Sequence, residues 1–186
     1  MSKKAIIIIV SIVSIVAAIA LVIVGISHVP ATAISYGEKV TEAYSAIKVQ
    51  EKRRADLLPN LADAVKSYNK HEYETLMDVI KARTEDDGII SDADVNEISG
   101  IIKVVVESYP ELKSNENYKT YMKEISITEN MISETRIAYN SAVTRYNTYV
   151  KHPIKKFFLN LTGYEFLEFE KLDYDVSEDA PTNLLS

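Results

Sequence analysis

Hydrophobic positions follow two different patterns along this chain. Residues 5–26, AIIIIVSIVSIVAAIALVIVGI, are 22 consecutive positions without a charge. As a helix rising ~1.5 Å per residue, this run is about 33 Å long, which is enough to cross the hydrocarbon core of a bilayer. Beyond Pro30, apolar residues recur at intervals of three and four. That spacing predicts amphipathic helices that each bury one face.

Four such helices are predicted behind the apolar run. Ser35 and Glu38 have capping-box spacing and begin helix one, and Asp56 caps helix two, with Pro59 in its first turn. Gly88 is predicted to stop helix two.

Helix three is predicted to start at Ser91, with Asp94 completing its cap, and to end before Pro110. Helix four extends from about residue 115 to residue 152 and is stopped by Pro153. Its apolar residues form a seam at coiled-coil spacing, namely Tyr118, Ile125, Ile132, Tyr139 and Tyr146.

The predicted fold is therefore all-α, with an N-terminal transmembrane helix followed by an antiparallel up-down four-helix bundle. Its predicted parts are a tail at residues 1–4, a membrane span at 5–26, a linker at 27–34, the bundle at 35–170 and an acidic, disordered tail at 171–186.

The apolar run favours a retained anchor over a cleaved signal peptide. Residues 31–33, Ala-Thr-Ala, resemble a cleavage site, but a signal peptide has an apolar core of about 7–15 residues and this run is longer. Lys3 and Lys4 precede the span, and Lys39 is the first base after it. The positive-inside rule then predicts a single-pass cell-membrane protein with a cytoplasmic N-terminus and an exported domain.

Charge is segregated at the C-terminus. Residues 165–179 carry seven acids and one base, which accounts for the formal net charge of −6, and the rest of the chain balances 20 bases against 20 acids. Since no basic excess is available for phosphates, nucleic acid is not expected as a partner. The absence of cysteine excludes disulfides and thiolate chemistry.

The sequence contains the beginnings of two familiar metal-binding motifs, but neither motif is complete. His71 and Glu72 begin like a zinc-protease helix, but the second ligand position holds Thr75. Asp92 and Asp94 begin like a calcium loop that lacks its glycine and its final glutamate, so they are interpreted as acids favoured by a helix dipole. We therefore expect no catalytic, cofactor-binding or metal-binding residues, no cofactor and no enzymatic activity.

Charged residues also occur within the stripes of helices one and two, where a buried stripe should be apolar, and beside the seam of helix four. Five of them are predicted to form a structural polar network inside the bundle: Glu51, Arg54, Glu72, Glu129 and Arg136. Buried charges persist only when they are paired and hydrogen-bonded. The alternative is that these residues lie at the edge of each stripe, half in water.

Aromatic residues are concentrated after Pro153. The candidates for contact with the membrane interface are Lys155, Lys156, Phe157 and Phe158, because lysines and aromatics are favoured at headgroup level. The alternative is that the aromatics of residues 153–170 fold back and seal the open end of the bundle.

Several segments occur in the same order as in a known family. The chain resembles LemA proteins in EKRRADLLPNL (51–61), VKSY and HE (65–72), YPELK (109–113), TE (128–129), and the two YN pairs at 139–140 and 146–147. Ser67, His152 and Tyr164 depart from the usual residues. The resemblance covers roughly residues 36–170.

This resemblance implies a membrane-anchored helical bundle of bacterial type with no catalytic residue to carry over. We predict a non-enzymatic scaffold, adaptor or interaction module. Its expected partners are the lipid bilayer and membrane or membrane-proximal proteins, and self-association into a homo-oligomer stays open. The alternative is a sensor with a small-molecule pocket between helices, and a membrane-associated hydrolase is a distant third.

Overall fold

The computed structural model describes residues 3–84 and 88–173. Across these ranges the chain is helical and contains no strand, so the all-α prediction is confirmed. The elements are α1 (Lys3–Lys66), α2 (Lys70–Arg83), α3 (Asp92–Ser108), a short 3₁₀ helix (Pro110–Ser114), α4 (Glu116–Lys151) and α5 (Pro153–Leu161).

Helix α1 is a single helix of 64 residues. It joins the predicted span, the predicted linker at 27–34, helix one and the start of helix two. The predicted starts at Ser35 and Asp56 are therefore wrong, and Pro30 and Pro59 lie inside the helix. An internal proline costs about 3 kcal/mol. The helix continues through both prolines, and its apolar stripe is buried on either side of the charged positions Glu51 and Arg54, with Ala33, Val40, Ile47, Leu58, Leu61 and Val65 all buried.

Helix α2 begins at a cap that the sequence pattern did not reveal. The side-chain Oδ1 of Asn69 accepts hydrogen bonds from the backbone N–H groups of His71 at 2.8 Å and Glu72 at 3.3 Å. The predicted helix two is thus divided between the end of α1 and α2. Leu76 and Ile80 are the buried residues of α2.

The later helices agree closely with their predicted limits. Ser91 caps α3 by accepting from the backbone N–H of Asp94 at 3.2 Å, and α3 ends two residues before Pro110. Helix α4 spans Glu116–Lys151, against a predicted range of 115–152. The nine-residue helix α5 was not predicted as a separate element.

The chain divides into two compact units, and one of them comprises residues 43–138. Its helical segments are antiparallel neighbours. Arg83 at the end of α2 pairs with Asp94 at the start of α3 at 3.4 Å, and Asn69 before α2 bonds to Tyr109 after α3. The core of this unit comes from the apolar stripes, with Leu58, Leu61, Val65, Leu76, Ile80, Ile98, Ile102, Val105 and Leu112 all buried.

The other unit comprises residues 1–42 and 139–186, which the structure describes within 3–42 and 139–173. Here Tyr36 of α1 meets Tyr149 of α4 edge to face, with ring centroids 5.2 Å apart. Helix α5 ends in a Schellman motif, in which the N–H of Tyr164 bonds to the carbonyl of Leu159 and the N–H of Gly163 to that of Asn160. This turn needs the positive φ of 67° at Gly163, which glycine adopts at no steric cost.

Within the described ranges, α1 is the one helix long and apolar enough to span a membrane. Its most apolar stretch has a mean hydropathy of 3.4 and is not buried by other parts of the chain. Beyond α5, the backbone continues without regular structure through Asp173, which includes the first residues of the predicted tail. Residues 174–186 of that tail lie outside the described residues.

Candidate functional site

A buried arginine lies at the centre of a charged cluster in the unit formed by residues 43–138. The side chain of Arg54, on α1, is only 2% exposed. Its Nη1 donates to Asp92 Oδ1 at 2.8 Å and to Glu129 Oε1 at 3.2 Å. Its Nη2 donates to the backbone carbonyl of Ile90 at 2.8 Å. The guanidinium thereby joins α1 to α4 and to the start of α3.

A second arginine completes the cluster. Arg136, on α4, donates from Nη1 to Asp92 Oδ2 at 2.7 Å and from Nη2 to Asp92 Oδ1 at 3.2 Å. The same Nη2 donates to Glu51 Oε1 at 2.9 Å. Asp92 therefore bridges the two guanidinium groups and receives a two-point contact from Arg136, which is the strong geometry for this type of pair.

The cluster shifts the ionisation of Asp92 and Arg136 further into their charged forms. Burial alone would raise the pKa of Asp92, but the hydrogen bonds and charges of Arg136 and Arg54 outweigh it, so that the pKa lies below its ordinary value. Burial would lower the pKa of Arg136, but Asp92 and Glu51 raise it instead. Both groups therefore stay charged at neutral pH.

The structure brings together four of the five residues that the sequence predicted for a polar network: Glu51, Arg54, Glu129 and Arg136. Glu72 is elsewhere, half-buried in the first turn of α2, and it forms no ion pair with any described residue. The residue that sequence reasoning missed is Asp92. An acid in the first turn of a helix is already favoured by the helix dipole, so the spacing of Asp92 gave no signal that it pairs with Arg54.

A cleft of about 210 Å³ opens beside the cluster. It is lined by Lys48, Glu51, Arg54, Ile89, Ile90, Ser91, Asp92 and Arg136. Its charged lining residues are three bases and two acids, and Asp92 and Glu51 are already engaged by Arg136. Among the residues that the structure describes, no three His, Asp or Glu side chains are grouped to hold a metal ion.

The second polar arrangement belongs to the other unit and uses the two Tyr-Asn pairs of α4, seven residues apart. The Tyr146 hydroxyl accepts from the backbone N–H of Leu167 at 2.9 Å, and Asn147 Nδ2 donates to the carbonyl of Phe169 at 3.1 Å. One heptad earlier, the Tyr139 hydroxyl donates to the carbonyl of Glu170 at 3.0 Å.

Asn140 completes this arrangement with two bonds to one residue. Its Nδ2 donates to the carbonyl of Leu172 at 2.9 Å, and its Oδ1 accepts from the N–H of Leu172 at 2.8 Å. We call Tyr139, Asn140, Tyr146 and Asn147 the backbone clamp, because all these bonds go to main-chain atoms of residues 167–172. The segment is held through Leu172, so the predicted start of a disordered tail at residue 171 is too early.

The membrane-interface candidates do not share one environment. Phe157 and Lys156 are exposed. Phe158 is half-buried and lies against Gly25 of α1, and Lys155 Nζ lies 4.0 Å above the ring of Tyr149. The segment was predicted either to contact the membrane interface or to pack against the bundle. Phe158 packs inside the unit, whereas Phe157 faces outward, so each interpretation applies to a different residue.

These observations define a class: an all-α protein with an N-terminal apolar helix suited to membrane anchoring, and helices that are tied together by an internal ion-pair cluster. Comparison with known proteins gives the family. The LemA family model matches residues 43–182, and the chain belongs to the LemA family. It is 29% identical to protein LemA of Metamycoplasma hominis over 154 residues, which cover 75% of this chain and 70% of that protein.

We expect Arg54→Ala to lower the free energy of unfolding by about 2–4 kcal/mol. A fully buried pair typically costs about 3–5 kcal/mol to break, and here Asp92 and Glu129 are partly solvated. Arg53 is the matched control, because it is adjacent, exposed and paired with Glu124, so Arg53→Ala should cost about 0–1 kcal/mol. Thermal and denaturant melts of the full chain in detergent give both values. Equal losses for the two variants would contradict a buried ionic anchor at residue 54.

Acid should weaken the fold through Asp92. The folded-state pKa of this carboxyl is below its ordinary value of about 4, so its stabilisation is present above that pH and is lost as the pH falls through the folded-state pKa. We expect the difference in Tm between the parent and Asp92→Asn to be full at pH 6–7 and to shrink below about pH 4. Asp63→Asn, at an exposed carboxylate of α1, is the control. A difference that is constant down to pH 2.5 would count against the bridging role.

Loss of the clamp should release the segment that it holds. Asn140→Ala removes both bonds to Leu172, each worth about 0.5–1.5 kcal/mol, so amide exchange of residues 167–172 should accelerate by roughly tenfold or more. Hydrogen exchange read by mass spectrometry measures this. Asn130→Ala, at an exposed position of the same helix, should leave the exchange unchanged. If Asn140→Ala also leaves it unchanged, the clamp is not what orders the segment.

Proposed function

We propose that this chain is a non-enzymatic scaffold or interaction module held at a membrane by the N-terminal part of α1. The proposal rests on the ionisation of two residues in the charged cluster, Asp92 and Arg136. Catalytic acids and bases need a pKa near the working pH. The pKa of Asp92 is lowered and that of Arg136 is raised, away from that range.

The polar side chains of the second unit support the same proposal. The hydroxyl and amide groups of the backbone clamp form hydrogen bonds to main-chain atoms of residues 167–172. The charged cluster therefore holds helices together in one unit, and the backbone clamp holds a segment in place in the other. A scaffold requires such fixed geometry and requires no reactive group.

The partners proposed for this scaffold are the bilayer itself and a membrane or membrane-proximal protein, which includes a second copy of this chain. Lys3 and Lys4 before the span favour a cytoplasmic N-terminus with the rest of the chain exported. The family membership supports a membrane-associated helical protein.

A sensor of small molecules is the second candidate, and the cleft of about 210 Å³ is the observation that favours it. Clefts between helices are common ligand sites. Lys48 lines this cleft and is half-buried, so it is a suitable position for a variant that alters the cleft without removing Arg54, Asp92 or Arg136.

Native mass spectrometry of the full chain, purified in mild detergent, separates the two candidates. A scaffold should be recovered as a complex of fixed stoichiometry with itself or another protein, and Lys48→Met should retain that complex. Lys39→Met, at an exposed position, is the control. A monomer carrying a small molecule that Lys48→Met loses and Lys39→Met keeps would replace the scaffold with the sensor.

A further inference from the structure

We propose that helix α5 is a second membrane contact, which inserts one apolar face into the boundary between lipid headgroups and acyl chains beside the transmembrane anchor. The occupant of this face is lipid. The proposal concerns where the chain touches the bilayer and does not depend on whether the chain is a scaffold or a sensor.

The face consists of Ile154, Phe157 and Leu161, which we call the outer face of α5. These side chains are 66%, 63% and 56% exposed. Their spacing of three and four residues places them on one side of the helix. Leu159, on the opposite side of the helix, is fully buried, and Phe158, which borders the outer face, lies against α1. Single exposed apolar residues are ordinary, but three on one side of a nine-residue helix mark an interaction surface.

The contact between Phe158 and Gly25 places this face beside the anchor. Gly25 is the penultimate residue of the uncharged run at 5–26. A Cβ atom at residue 25 would lie 2.5 Å from Phe158 Cζ, so only glycine lets the ring approach this closely. Four residues further along α1, the carbonyl of Val29 accepts a hydrogen bond from the Tyr149 hydroxyl at 3.2 Å. Helix α5 is therefore held where α1 leaves the apolar region.

Charge beside the outer face fits the same position. Lys156 is exposed, and Lys155 rests over the Tyr149 ring with its Nζ at 4.0 Å from the ring centroid. Lysines and aromatic residues together are typical of helices that lie at headgroup level. The turn at Gly163 ends the helix before Glu165 and Glu168, whose charges are disfavoured at an anionic lipid surface.

Lipid is a better occupant than protein because α5 packs, through Phe158, against the end of an apolar run that is long enough to span a membrane. The large apolar residues of α1 between Ile6 and Val24 are exposed. A helix fixed against the end of that run by Phe158 meets the same bilayer. Because Ile154, Phe157 and Leu161 are all apolar, their insertion removes no polar side chain from water.

The chain has no tryptophan, so Phe157→Trp introduces a single fluorescent reporter on the outer face. The full chain carrying this substitution is reconstituted into phosphatidylcholine vesicles with brominated acyl chains. We expect blue-shifted emission and strong quenching by the brominated lipid. Val104→Trp is the matched control, because Val104 is an apolar residue of α3 with 62% exposure. It should emit as in water and be quenched by acrylamide instead.

Two results would overturn the proposal. One is quenching of Phe157→Trp by lipid no stronger than that of Val104→Trp. The other is blue-shifted emission without lipid quenching, because this would mean that protein, such as a second copy of the chain, covers the outer face. Ile154→Trp is a second reporter on the same face and should repeat the result if Phe157→Trp disturbs the fold.

A second arm tests the role of Gly25 in the position of the helix. Adding Gly25→Leu to Phe157→Trp should push Phe158 away and reduce lipid quenching at least severalfold, while the N-terminal run stays apolar. Vesicles containing anionic phosphatidylglycerol should strengthen the quenching of Phe157→Trp through Lys156, and Lys156→Gln should remove that increment. Quenching that Gly25→Leu does not alter would show that this contact does not place α5 at the lipid.

Discussion

The unit formed by residues 43–138 depends on one constraint, which is that a guanidinium cannot remain buried without partners. Arg54 is almost fully removed from solvent, and an uncompensated buried cation would cost several kcal/mol. Its partners come from three places in the chain: the carbonyl of Ile90, the carboxylate of Asp92 and the carboxylate of Glu129. Hydrophobic stripes allow helices to slide along one another, whereas these directional bonds fix the position at which α1, α3 and α4 meet.

Polar side chains in the other unit fix the position of a segment that has no regular secondary structure. A strand would satisfy its backbone in a sheet, but the part of the chain that the structure describes contains no sheet for residues 167–172 to join. The clamp supplies donors and acceptors at heptad spacing, and Asn140 offers Leu172 both at once. Since these bonds go to main-chain atoms, they do not depend on which side chains the segment carries. An acidic sequence can therefore lie there without a complementary basic surface.

Sequence reasoning was accurate where periodicity or a cap decides the structure. The cap at Ser91, the end of α3 before Pro110 and the length of α4 all follow from local chemistry, and each was confirmed. It failed at Ser35 and Asp56 because a residue that is able to cap a helix need not do so. When an apolar stripe continues on both sides, burying it outweighs a local stop, and even proline is accommodated. The network illustrates the same limit. A charge within a stripe revealed Arg54, and a charge beside a seam revealed Glu129. Asp92, however, is brought to the network by the tertiary fold, and periodicity carries no information about that.

The segment after Pro153 shows why a pattern of aromatics cannot by itself distinguish packing from surface exposure. Successive residues on a helix point about 100° apart, so Phe157 and Phe158 are adjacent in sequence and lie in different surroundings. The discriminating residue is Gly25, more than a hundred positions earlier, whose missing side chain admits the Phe158 ring. Phe158 lies at the edge of the outer face and packs against Gly25, whereas Phe157, Ile154 and Leu161 stay exposed. The missing Cβ at Gly25 therefore accommodates the Phe158 ring against the anchor, and the exposed apolar side chains next to Phe158 remain available to a partner.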